Sequence, residues 1–116
     1  RIKNAIYLDK KLQHITQLQI PTRNSEIKEV FHLYMLKVEK RDELQNHLIK
    51  MGIDAKVHYP IPMHLQTAAN KYDYSEGDFP KCEEAANSVI SFPVHEFINE
   101  EHLDKIIHHV KNFYGA

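Results

Sequence analysis

Five prolines punctuate this chain of 116 residues and confine regular structure to the stretches between them. Each proline fixes its own φ, withholds an N–H donor and restricts the residue before it. Pro21 therefore ends the first helical stretch, in which Ala5, Leu8, Leu12 and Ile15 mark an apolar stripe over residues 1–17. Pro60 and Pro62 hold "YPIP" in an extended form. Pro80 falls in the first turn of a helix that Asp78 is placed to cap, with Cys82, Ala85, Ala86 and Val89 on its apolar side and Cys82 read as a core thiol. Pro93 stops the strand "SVISFPV".

The remaining elements follow from periodicity. "VFHLYMLKV", residues 30–38, is rich in β-branched and aromatic residues with apolar character on both faces, as a central strand requires. In "KRDELQNHLIKMGI" the stripe Leu44, Leu48 and Met51 predicts a helix that Gly52 closes in the left-handed conformation, with Ile53 packing back. "IDAKVH", residues 53–58, alternates, so Ile53, Ala55 and Val57 face a core while Asp54, Lys56 and His58 face away. Residues 64–72 form a short helix and "YSEGD" a loop. The last helix has Asn99 as cap, Glu100 and Glu101 in its first turn, and Leu103, Ile106, Ile107, Val110 and Phe113 as its stripe. The order predicts a single α/β domain over residues 1–116, a small sheet of three or four strands flanked by helices.

Composition narrows the function. A formal net charge of -1 offers no basic surface for a phosphate backbone, so nucleic acid is not expected as a partner. No run of about 20 apolar residues reads as a membrane span, and the single cysteine fits a reducing, cytoplasmic setting. The three glycines are scattered at turns and make no phosphate loop. The opening on Arg1, inside a helical pattern, suggests a piece of something longer.

Among candidate chemistry, "VHYPIPMHLQ" stands out, with His58 and His64 six positions apart around a tyrosine and two prolines. A metal site needs a third and fourth ligand, and the spacing of His102, His108 and His109 matches no metal motif, so no metal is expected. No catalytic pair is evident either. A stiff segment carrying His, Tyr and His suits a wall beside a ligand, and it equally suits a rigid connector with exposed side chains. The residues alone leave both open.

"FHLYML", "RDELQNHLIKMGI", "VHYPIPMHLQ", "GDFPKCEEAANSVISFPV" and "NEEHLDKIIHHVKNF", in this order and at these separations, resemble the C-terminal domain of the DegT-type (DegT/DnrJ/StrS) sugar-nucleotide aminotransferases. The resemblance runs over residues 1–113. Within the family, "VHYPIPMHLQ" is most similar to members acting on dTDP-linked 3-keto-6-deoxyhexoses. Two departures are Phe92 in the usual Ser-Leu-Pro strand ending, and His95 and Glu96 where an apolar residue is common.

The resemblance implies the small C-terminal domain of a fold-type I enzyme. It implies pyridoxal phosphate as cofactor, bound through a lysine of a larger N-terminal domain, with residues 1–17 as the interdomain helix. It further implies transfer of an amino group, from glutamate, to a nucleotide-linked keto sugar in deoxyamino sugar and polysaccharide or lipopolysaccharide biosynthesis, in a homodimer. His58 and Tyr59 are then substrate-binding, His64 is a third candidate, and no residue here is catalytic. The twelve lysines all have solvated readings, so this chain alone is expected neither to bind the cofactor nor to transaminate. Without a large domain, the stripe of the first helix is expected to be partly exposed. The competing reading is a non-enzymatic α/β binding module that shares only the fold.

Overall fold

Strand β2 (Tyr34–Val38) is the middle of the sheet, paired on both sides, with Tyr34, Leu36 and Val38 buried on one face and Met35 and Lys37 half-buried on the other. A computed structural model describes residues 1–116. In it β2 pairs antiparallel with β1 (Leu18–Gln19) on one side and β3 (Val89–Phe92) on the other, with Tyr34 opposite Phe92 and Leu36 opposite Ile90. The fold class is thus the one predicted, an α/β arrangement with a three-stranded antiparallel sheet. Residues 53–58 add a partial fourth strand, joined to β3 by the single bridge Lys56–Ser91. Their alternation holds: Ile53 and Ala55 are buried, and Asp54, Lys56 and His58 are exposed.

Helices α1 (Ile2–Leu12), α2 (Arg41–Lys50) and α4 (Glu100–Tyr114) lay their stripes on the face that carries Tyr34, Leu36 and Val38. Their leucines, isoleucines and valines join the sheet in one cluster of 19 buried residues. The short α3 (Pro80–Ser88) lies against β2 beside Lys37, where Glu84 accepts an ion pair from Lys37 at 2.8 Å. Asn99 caps α4 as predicted: its Oδ1 accepts the His102 N–H at 3.0 Å, and His102 Nδ1 accepts the Asn99 N–H at 3.3 Å. At the end of α2, Gly52 has φ 75°, its N–H bonds to Ile49 O, and the Ile53 N–H bonds to Leu48 O, the paired closure of a left-handed glycine cap.

Several expectations are corrected. The first helix ends at Leu12 rather than residue 17, because the chain must turn to bring Leu18 beside Val38. Its stripe is not exposed: Ala5, Leu8 and Leu12 are fully buried, with α4 packed along α1. The strand over 30–38 begins only at Tyr34, since Phe31 takes φ 51° and turns its ring into the core, 4.8 Å from the Arg23 guanidinium. In α2 the buried stripe is Arg41, Leu44 and Leu48, and Met51 is exposed. Arg41 is tolerated there because Nη1 donates to Ala86 O and Val89 O, tying the end of α3 to α2.

The helix over 64–72 is two 3₁₀ turns, Met63–Leu65 and Thr67–Tyr72, separated by an extended Gln66. Asp78 does not cap α3. Phe79 holds the cap position, and the Asp78 carboxylate accepts the Ser75 N–H at 2.8 Å, closing its own turn instead. Cys82 is half-buried rather than core, and Ala86 is the one buried residue of α3.

Candidate substrate-binding site

A cavity of about 560 Å³ opens where residues 52–58, the end of β3 and the first turns of α4 converge. Its floor is the run Ser91–Val94. The Lys56 N–H donates to Ser91 O at 3.0 Å and the Ser91 N–H to Lys56 O at 2.9 Å, so this register carries Lys56 and His58 to the cavity wall. On the far side Asn4 Nδ2 donates to Val94 O, His95 O and Ile98 O, pinning the loop after Pro93 to α1. The geometry is therefore set by backbone pairing and one buried-edge amide rather than by flexible side chains.

The lining is basic. Arg1, Lys56 and Lys105 are its full cations, with His32, His58, His95 and His102, against the single carboxylate Asp54. Asp54 pairs with Lys56 at 2.7 Å, whereas Lys105 has no carboxylate partner and reaches over Gly52, its Nζ 3.6 Å from where a Cβ would stand. Glu96, at 3.6 Å from Arg1, lies just outside, its carboxyl held below the ordinary range by a backbone N–H and, more weakly, by Arg1. His95 and His102 each use Nδ1 to accept a backbone N–H, which leaves their Nε2 edges free. Such a wall accepts an anionic group such as phosphate or carboxylate.

The three residues singled out in the sequence separate here. His58 is exposed on the cavity wall. Tyr59 stands outside the cavity, 69% exposed, with φ 54°, a left-handed backbone rather than the extended one expected before Pro60. A non-glycine residue in that region carries a conformational cost, which persists only where its surroundings impose it. His64 points the other way: it is buried, its Nε2 2.8 Å from Glu83 Oε1 and its ring edge-on to Phe79. No group of three or more His, Cys, Asp or Glu side chains is arranged to hold a metal ion.

Lys105, Lys56, His32 and Glu83 were not singled out in the sequence. Lys105 is one of several polar positions on α4, and only the passage of Gly52 beneath it marks it out. His64 and Glu83 are 19 positions apart, beyond any helical or strand period. No helix is long and apolar enough to cross a membrane.

The sheet with helices packed along it and a basic cleft at its edge define a small α/β unit with one anion-accepting site. The sequence profile of the DegT/DnrJ/EryC1/StrS aminotransferase family matches residues 1–111, and the chain belongs to that family. It is similar to the "Pleiotropic regulatory protein" of Geobacillus stearothermophilus, 39% identical over 73% of this chain and 23% of that one. It is also similar to the dTDP-3-amino-3,4,6-trideoxy-alpha-D-glucose transaminase of Streptomyces venezuelae, 33% identical over 81% of this chain and 25% of that one. Among solved structures, S. venezuelae DesV in complex with a ketimine intermediate superposes with a TM-score of 0.93 at 29% identity, covering 99% of this chain and 31% of DesV. The chain thus spans between 23% and 31% of the lengths of these relatives.

The family's enzymes are sugar aminotransferases that use pyridoxal phosphate. A Schiff-base lysine needs desolvation or a neighbouring cation, yet none of the twelve lysines is buried, and Lys37 and Lys56 are tied to carboxylates.

Proposed function

We propose that this chain forms the sugar-facing wall of a pyridoxal-phosphate-dependent aminotransferase that moves an amino group from glutamate to the keto carbon of a nucleotide-linked sugar. The observation that carries this reading is the placement of His58 on the wall of a basic cavity, with the exposed Tyr59 next to it at the start of a proline-stiffened segment. Family membership supplies the reaction class, and the name of the S. venezuelae relative supplies a dTDP-linked 3-aminosugar as the kind of compound to test. In this reading the cavity cations meet phosphate oxygens, His58 and Tyr59 bond sugar hydroxyls or phosphate, and the cofactor and its lysine lie in a larger N-terminal domain that α1 adjoins. The whole enzyme works as a cytoplasmic homodimer, and this chain alone closes the substrate cleft without transaminating.

Contacts made equally in ground and transition states change KM more than kcat. In the full-length enzyme, His58→Asn and Tyr59→Phe are each expected to raise KM for the sugar nucleotide by a factor worth about 1–3 kcal/mol, with the donor half-reaction unchanged. An unchanged KM in both variants returns the segment to a rigid connector. A 100-fold or larger loss of kcat, roughly the scale of general acid–base groups, makes His58 a proton-transfer residue instead.

A second reading is favoured by the relatives named as a pleiotropic regulatory protein and as the erythromycin biosynthesis sensory transduction protein EryC1. It takes the same cavity as the ligand site of a non-enzymatic module. Sugar-nucleotide binding by a full-length protein that aminates no keto sugar would select it.

A further inference from the structure

Between Val57 and α3 the chain runs outside the core cluster, and over residues 58–79 His64 is the only buried side chain. That burial has one polar partner. Because a carboxylate only accepts, His64 Nε2 donates to Glu83 Oε1 at 2.8 Å, and the same oxygen accepts the Gly77 N–H at 2.7 Å. A single carboxylate oxygen on α3 thus holds both the outgoing limb, at His64, and the returning limb, at Gly77. Phe79 closes the arrangement, its ring 4.8 Å from His64 and 5.0 Å from Tyr74. The side chains of His64 and Glu83 are 5% and 16% exposed, so the bond between them lies largely out of competition with water, while the Gly77 bond sits at the surface.

We infer that Glu83, acting through His64, is the positioning residue that aims Tyr59 and His58. Four residues separate Tyr59 from His64, and two of them are Pro60 and Pro62, whose fixed φ angles leave the link little freedom. Anchoring His64 therefore fixes the direction in which the chain leaves Tyr59, while the Lys56–Ser91 pairing fixes it on the other side. Between these two anchors Tyr59 is held at φ 54°, a conformation that a free tyrosine before proline rarely adopts. His64, read in the sequence as a substrate contact, acts from behind the segment. The inference rests on the reading of His58 and Tyr59 as substrate-facing.

Two measurements on Glu83→Ala and Glu83→Gln test it. Glutamine keeps an oxygen for both donors and alanine keeps none. By hydrogen exchange on this protein, Glu83→Ala is expected to speed exchange at Gly77 and through residues 63–79 by about tenfold or more, leaving β2, β3 and α4 protected, and Glu83→Gln to restore most of the protection. Unchanged protection of residues 63–79 in Glu83→Ala overturns the clamp, and so does a loss spread evenly over all elements, which marks a general stability role. In the full-length enzyme, Glu83→Ala is expected to raise KM for a dTDP-linked 3-keto sugar about tenfold with the donor half-reaction unchanged, and Glu83→Gln to recover it. An unchanged KM in a variant whose segment is loosened overturns the positioning role. If the wild-type enzyme aminates no such sugar, the proposed function falls, and the exchange measurement still decides the clamp.

Discussion

Tyr34 illustrates how one residue joins three parts of the chain. Its ring is fully buried between Phe31 and Phe92, and its hydroxyl donates to Asp9 Oδ1 of α1 at 2.7 Å. Arg23, from the loop between β1 and β2, grips the same carboxylate through Nε and Nη2 at 3.0 and 3.1 Å. Burial, and then the bond to Asp9, push the Tyr34 phenol far above its ordinary range, so the hydroxyl stays a donor at any physiological pH. Tyr34→Phe keeps the ring and deletes only this bond to a charged acceptor. Denaturant unfolding is expected to show a loss of about 1.5–3 kcal/mol, and a loss near zero would mean that Arg23 alone satisfies Asp9. The sequence marks Tyr34 as a strand residue. It does not reveal that the hydroxyl of a core side chain is answered by Asp9, itself held by Arg23.

At the scale of elements, local chemistry and tertiary demand divide cleanly. Where an element carries its own stop and start signals, the expectation stands: Gly52 closes α2 and Asn99 opens α4. Asn99→Ala removes the acceptor of the His102 N–H and is expected to cost about 1 kcal/mol of stability, measurable as a lowered urea midpoint with unchanged slope. Where a neighbour competes, local signals fail. The periodicity of α1 continues to Ile15, and the helix still stops at Leu12 because Leu18 and Gln19 must pair with β2. Asp78 is a good cap by type, yet its carboxylate is taken by the Ser75 N–H. β1 is two residues long, too short for any alternation to announce it.

The whole molecule is held by α4, which packs against both α1 and α2. Its seam with α2 brings His47 to 5.8 Å from His109 and 5.6 Å from Phe113, with His108 at 5.1 Å from His109. His47 Nε2 is buried there without a hydrogen-bond partner. Burial, then His108, His47 and Lys105, lower the pKa of His109 below its ordinary 6.5. The unfolded chain therefore binds a proton that the folded chain resists, so this group's contribution is full above about pH 6.5 and falls as pH drops toward the folded pKa. His109→Gln is expected to give a shallower loss of stability between pH 7.5 and about pH 5 in urea unfolding. Equal slopes in wild type and variant would remove the seam as a source of acid sensitivity.

The sequence by itself determined the four helices and strands β2 and β3, the inward stripes of α1 and α4, the alternation at residues 53–58 and, through linked motifs, the family. These are signals of period 2 or 3.6, or of a capping residue, and they are complete within about fifteen positions. Tertiary structure alone decided which side chains share a site. His58 and Lys105 meet across one cavity although 47 positions separate them, because the Lys56–Ser91 pairing brings the strand-like segment to the end of β3 beside α4. His64 turned away from that cavity because Glu83, on a helix that packs against the sheet, offered its ring nitrogen a sheltered acceptor. Periodicity assigns a residue to a face of its own element, and only the packing of elements says what that face meets.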